Sequence, residues 1–174
     1  MNTDARPPAT IMVVDDDADN LRLLDEMLRA DGYGVRGFPR SRLALASARR
    51  EPPDLILLDV SMPEMDGYEA CRQFRAIPAL QDIPVIFISG LQDAADKANA
   101  FQRGGADYVT KPFLLEEVLA RVRTHLQLRR LQQALQECGT QLAKLEPERA
   151  ALSPAAQSCL QAAQEAARTA APPP

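Results

Sequence analysis

Between Thr10 and Thr110, short apolar runs alternate with stretches whose apolar residues recur every three or four positions. Thr10-Ile-Met-Val-Val14 is a β-rich run that stops on acids, and Asn20-Leu-Arg-Leu-Leu-Asp-Glu-Met-Leu28 has helical spacing. Tyr33–Phe38 reads as a strand and Ser41–Arg49 as a helix. Leu55–Leu58, Ile83–Ile88 and Asp107–Thr110 give three further strands, with helices over Gly67–Ala76 and Asp93–Arg103 between them. Another helix opens at Phe113. The three most apolar runs look like strands buried on both faces, as in a parallel sheet. A βα unit repeated five times predicts a doubly wound α/β domain on a five-stranded parallel sheet. In such sheets a ligand sits at the carboxyl ends of the strands.

Those ends carry chemistry. The first strand runs into Asp15, Asp16 and Asp17, and the third into Asp59. The fourth ends in Ser89-Gly90 and the fifth in Lys111-Pro112. Any single Asp at a strand end reads first as a loop residue or helix N-cap, and Asp17 and Asp19 fit that role. Four such features at the ends of four strands, on one edge, read differently. Clustered carboxylates repel one another and call for a cation or raised pKa values. Hard oxygen ligands in small number suit Mg2+ better than a transition metal. A lysine opposite them suits an anion such as phosphate.

Composition narrows the class. The chain has 174 residues, 46% of them hydrophobic, and a formal net charge of −4. That fits one ordinary domain with a short addition, and the acidic balance gives no footprint for nucleic acid. No apolar run reaches membrane-span length. The start, MNTDARPPAT, has neither a basic beginning nor an apolar stretch, so no secretory leader is expected. Three cysteines, at 71, 138 and 159, form no close pair and no disulfide framework. A cytoplasmic protein is expected.

The matching stretches Val13-Val-Asp-Asp16, Leu57-Leu-Asp-Val-Ser-Met-Pro-Glu-Met-Asp-Gly67, Ile86-Phe-Ile-Ser-Gly90 and Gly105-Ala-Asp-Tyr-Val-Thr-Lys-Pro-Phe113 resemble the receiver domain of two-component response regulators. The resemblance covers roughly residues 9–125 and implies a flavodoxin-like sheet of order 2-1-3-4-5. It implies that Asp59 is the phosphoacceptor for a histidine kinase or phosphotransfer protein. It implies Mg2+ held by Asp15, Asp16, Asp59 and the Ser61 backbone carbonyl. Lys111 would pair with a phosphate oxygen, and Ser89 would hydrogen-bond the attached phosphate. Tyr108 stands at the switch-aromatic position, and Lys111-Pro112 would be a cis peptide. An apolar Leu91, two residues past Ser89, would hinder a hydrolytic water.

Beyond His125 the chain changes character, from net −5 over residues 1–125 to net +1 after them. Leu128, Leu131, Leu135, Cys138, Leu142 and Leu145 follow a 3,4 spacing, a narrow heptad seam. We read residues 1–8 as a tail, 9–125 as the receiver, and 126–146 as a helical, coiled-coil-like stalk. Residues 147–174 form an Ala/Gln/Pro-rich segment, with a break at Pro147 and a weak helix over 154–170 opened by Ser153-Pro154. The seam suits a parallel homodimer through 126–146; packing within one chain and a frayed tail are the alternatives. Arg129 and Arg130 read as a solvated face, and His125 as a packing residue. The function expected is a phosphorylation switch without turnover, signalling through the stalk or through the surface of the 93–103 helix and fifth strand. A fragment of a protein with a cyclase, phosphodiesterase or kinase output domain is the alternative. A Mg2+-dependent phosphatase using Asp59, or a flavin-binding domain, is remote.

Overall fold

A computed structural model describes residues 9–90 and 104–169, with side chains through residue 144. Five parallel strands form one sheet: β1 (Thr10–Val14), β2 (Gly34–Phe38), β3 (Leu55–Asp59), β4 (Val85–Ser89) and β5 (Asp107–Thr110). Their order is β2-β1-β3-β4-β5, as the resemblance implied. Helices α1 (Ala18–Ala30), α2 (Ser41–Arg50), α3 (Gly67–Arg75) and α4 (Leu115–Thr169), with a short 3-10 turn at Pro78–Leu80, complete the described elements. The expected tail 1–8, the helix over 93–103 and Leu91 lie outside the described residues.

The strands alternate their side chains between two cores, because successive residues point to opposite faces. Met12, Val14, Ile56, Leu58, Val85 and Phe87 pack on one face with Ala44, Leu45, Ala70 and Phe74 from α2 and α3. Ile11, Val13, Leu55, Leu57, Ile86 and Ile88 pack on the other with Leu24 and Leu28 of α1 and Val118, Val122 and Leu126 of α4. Both faces of β3 and β4 are therefore buried, which is why those runs read as continuous apolar stretches. Helix α1 begins where Asp17 caps it, its carboxylate accepting from the N–H groups of Asp19 and Asn20.

The chain divides into two units, ending and beginning at Arg129 and Arg130. Two readings of the C-terminal region are corrected. Helix α4 runs unbroken to Thr169 through Pro147 and Pro154, so no break stands at Pro147. Proline's fixed φ is itself helical; what it removes is one ladder hydrogen bond, and the Leu, Glu, Gln and Ala residues around it are strong helix formers. Arg129 is not on a solvated face either. Its guanidinium donates to the carbonyls of Asp54 (2.8 Å) and Pro53 (3.3 Å) at the start of β3.

Candidate functional site

The strand order reverses between β1 and β3, and the carboxyl ends of those two strands carry the acidic residues. Carboxylate oxygens of Asp15, Asp16 and Asp59 lie within 4.8 Å of one another. Asp15 and Asp59 are almost wholly buried, at 1% and 3% exposure, while Asp16 faces outward. Lys111, 96 residues along the chain from Asp15, reaches in from the end of β5. Its Nζ stands 2.9 Å from Asp15 Oδ2 and 2.7 Å from Asp59 Oδ1. The contact to Asp15 is a hydrogen bond; that to Asp59 is close in distance but off the hydrogen-bond angles. Asp59 Oδ1 is thus a buried carboxylate oxygen with no hydrogen-bond donor aligned on it.

Burial pushes the Asp59 carboxyl above its ordinary pKa. The Lys111 ammonium opposes that rise, and the charges of Asp15 and Asp16 add to it. For Lys111, burial works to lower the pKa, but the carboxylates of Asp59 and Asp15 outweigh it and the ammonium is held above its usual range. One cation faces three carboxylates here, so a further positive charge would relieve the repulsion. The donors are hard oxygens, and Asp59 Oδ1, with no hydrogen-bond donor aligned on it, offers a ligand atom; both fit a small divalent cation such as Mg2+.

The remaining expected residues sit around this centre. Ser89 ends β4, fully buried, and its carbonyl accepts from the Lys111 N–H at 2.7 Å. Ser61 lies two residues past Asp59 and is exposed. Tyr108, on β5, is already turned inward against the core that holds Phe87 and Leu58. The Lys111–Pro112 peptide is cis. Beside Lys111 a groove lined by Asn20, Leu23, Pro112 and Phe113 opens to the surface.

The pattern of the Response regulator receiver domain matches residues 11–123. The chain belongs to that family. Its receiver is 42% identical over 116 residues to the response regulator PleD of Caulobacter vibrioides, covering 67% of this chain and 26% of PleD. Over 118 residues it is 40% identical to the transcriptional regulatory protein CreB of Escherichia coli, covering 67% of this chain and 50% of CreB. The chain thus spans about a quarter to a half of the length of these curated relatives. Among solved structures, the BeF3-activated DrrB receiver domain superposes with a TM-score of 0.63 at 34% identity, over 69% of this chain and 98% of that one. The signal receiver domain of a histidine kinase from Syntrophus aciditrophicus gives 0.64 at 34% identity, over 68% and 90%.

Three features of the receiver are not written in its motifs. Asn20 donates from Nδ2 to Asp15 Oδ2 at 3.1 Å, and the Asp17 N–H donates to Asp15 Oδ1 at 2.9 Å. Asp15 is therefore held by three donors, which fixes its orientation. Gly67 opens α3 against the backbone of Asp59 itself: a Cβ there would stand 2.2 Å from the Asp59 carbonyl oxygen. At the other end of β5, Asp107 is hydrogen-bonded by Arg121 at 2.7 Å and lies 3.0 Å from His125 Nε2. Burial would raise the Asp107 carboxyl, but Arg121, the Tyr108 N–H and His125 together bring it below its usual value. His125 is therefore a polar partner as well as a packing residue. The signal that could have found Asn20 is its place in the first turn of α1, three residues past the Asp17 cap and next to the strand end.

Proposed function

We propose that this receiver takes a phosphoryl group on Asp59 from the phosphohistidine of a histidine kinase or phosphotransfer protein. The observation that carries the reading is Asp59 itself: a buried carboxylate, one oxygen without an aligned donor, at the sheet's switch point beside a lysine and two further acids. Asp59 attacks phosphorus, the phosphorus–nitrogen bond breaks, the imidazole leaves, and an aspartyl phosphate remains. Lys111 follows the charge as it moves from carboxylate to phosphoryl oxygens, acting as a point charge. Asp15, Asp16, Asp59 and the Ser61 carbonyl would hold Mg2+. The ion would neutralise charge on the transferring group and let carboxylate and phosphate approach. Asn20 and the Asp17 N–H keep Asp15 aimed at that centre.

Ser89 and Tyr108 form the readout in this proposal. The Ser89 hydroxyl meets the new phosphoryl oxygen, and the loop that follows is drawn in, altering the surface of the 93–103 segment and β5. The chain acts as a switch in the cytoplasm, without turnover of an outside substrate, and pairs with a second copy through residues 126–146. No helix among the described residues is long and apolar enough to cross a membrane.

Incubation with a small acyl phosphate and Mg2+, followed by intact-mass spectrometry, tests the reading. A gain of one phosphoryl group is expected, and none in Asp59→Asn. A wild-type chain that stays unmodified with either an acyl phosphate or a phosphorylated kinase overturns it.

A further inference from the structure

Helix α4 carries a strip of large apolar side chains in water. Leu128, Leu131, Leu135 and Leu142 are each about half exposed or more, Leu135 reaching 72%, and Cys138 is exposed among them. With Leu128 at heptad position a, the strip places Leu135 and Leu142 at a and Leu131 and Cys138 at d. From Leu128 to Leu142 it runs about 21 Å at ~1.5 Å per residue. It is two residues wide, a coiled-coil seam and not the broad face that packs on a globular core. Because α4 is unbroken to Thr169, none of the helix's own residues folds back to cover the seam.

The flanks say what covers it. Positions g and e beside the seam are Gln127, Gln132, Ala134, Gly139 and Gln141, all uncharged. The charged residues of this stretch, Arg129, Arg130, Glu137 and Lys144, fall at b and c, away from the seam. In a parallel pair of identical helices the g flank of one faces the e flank of the other, so these uncharged flanks set no like charges against each other. A different partner is selected by complementary e and g charges, and this seam has none to complement. Ala134 and Gly139 border Cys138, so the small side chains fall at one level. An antiparallel pairing that keeps leucine on leucine would set residues 149–156 of each helix against 117–124 of the other. There the same register holds Glu117, Arg121 and Thr124 in place of leucines.

We infer that the seam binds a second copy of this chain as a parallel, in-register pair, with Leu128, Leu131, Leu135 and Leu142 each against its own mate and Cys138 facing Cys138. The inference deepens the pairing proposed above and is independent of phosphorylation at Asp59. Oxidation then joins the two Sγ atoms: the thiols lose two electrons and two protons to a diazene oxidant such as diamide, which becomes its hydrazine.

The test uses the full chain with Cys159→Ser, so that Cys138 is the only exposed candidate described. Light scattering is expected to give twice the mass of one chain, and diamide a disulfide-linked dimer that Cys138→Ser abolishes. Leu135→Lys, at an exposed position in a helix, is expected to give one chain's mass with unchanged helical circular dichroism. A dimer that diamide does not crosslink through Cys138 overturns the parallel register. A single-chain mass, or a dimer unaffected by Leu135→Lys, overturns the seam as the interface. Phosphorylation of the same samples reports separately on the receiver site.

Discussion

Gly67→Ala probes how the backbone around Asp59 is held. The glycine lies at the first turn of α3, and its N–H donates to the Val60 carbonyl at 3.0 Å. A methyl group there would stand 2.2 Å from the Asp59 carbonyl oxygen, 2.9 Å from Val60 Cα and 3.0 Å from the Asp59 carbonyl carbon. An ordinary carbon–oxygen contact is no closer than about 3.3 Å, so roughly 1 Å of backbone movement is needed. All three obstructing atoms are main chain, which has no rotamer to turn aside. Alanine is the better helix former by up to about 1 kcal/mol. Overpacking of this kind costs about 1–3 kcal/mol or more, so the clash wins and a net loss of about 2 kcal/mol is expected. For a unit of this size that lowers Tm by about 8 °C. The same shift moves Asp59, and a misplacement of about 1 Å costs on the order of 10²-fold in rate. Thermal unfolding and the rate of labelling by an acyl phosphate read the two effects. Gly139→Ala is the control: its methyl meets nothing within 4 Å, and it should leave labelling unchanged while favouring the helix. A Gly67→Ala protein with wild-type Tm and labelling rate would refute the claim that this close approach positions Asp59.

Other substitutions test the electrostatics. Because the Asp59 carboxyl is raised in the fold, first by burial, the folded chain keeps its proton where the unfolded chain has lost it. Stability then falls as pH rises from the ordinary carboxylate range through the raised value, and stays lower above it. In metal-free buffer at neutral pH, Asp59→Asn should therefore stabilise by on the order of 0.5–2 kcal/mol, and the gain should vanish at acid pH in parallel denaturation curves. Lys111→Ala leaves Asp15 and Asp59 buried without their cation; since Lys111 is partly exposed, a loss of about 1–3 kcal/mol is expected, smaller when Mg2+ is added. Arg129→Ala removes the donors to the Pro53 and Asp54 carbonyls and should cost about 1 kcal/mol in urea denaturation, with labelling of Asp59 unchanged.

The strands were legible because β3 and β4 are buried on both faces, which leaves an uninterrupted apolar run in the sequence. Asp15 and Asp59 were legible because each closes an apolar run, and Lys111 because it follows the short strand Asp107–Thr110; parallel strands bring equivalent ends to one edge. What sequence could not supply was the partner at long separation. Periodicity reports which face of α4 is buried, but not that Arg129 meets Asp54 or that His125 meets Asp107. Nor does a motif glycine reveal that its hydrogen faces the Asp59 carbonyl, as at Gly67. Pro147 misled for another reason. The rule that proline ends a helix rests on one lost hydrogen bond and a local clash, and a run of strong helix formers on both sides can override it.

The central claim is that Asp59, and neither of its acidic neighbours, carries the phosphoryl group. Borohydride reduces an aspartyl phosphate to homoserine, which marks the site permanently for peptide mass spectrometry. After treatment with an acyl phosphate and Mg2+, the account predicts homoserine at residue 59 alone, and none when Mg2+ is chelated. Homoserine at Asp15 or Asp16, or at residue 59 to the same extent without the metal, would contradict it.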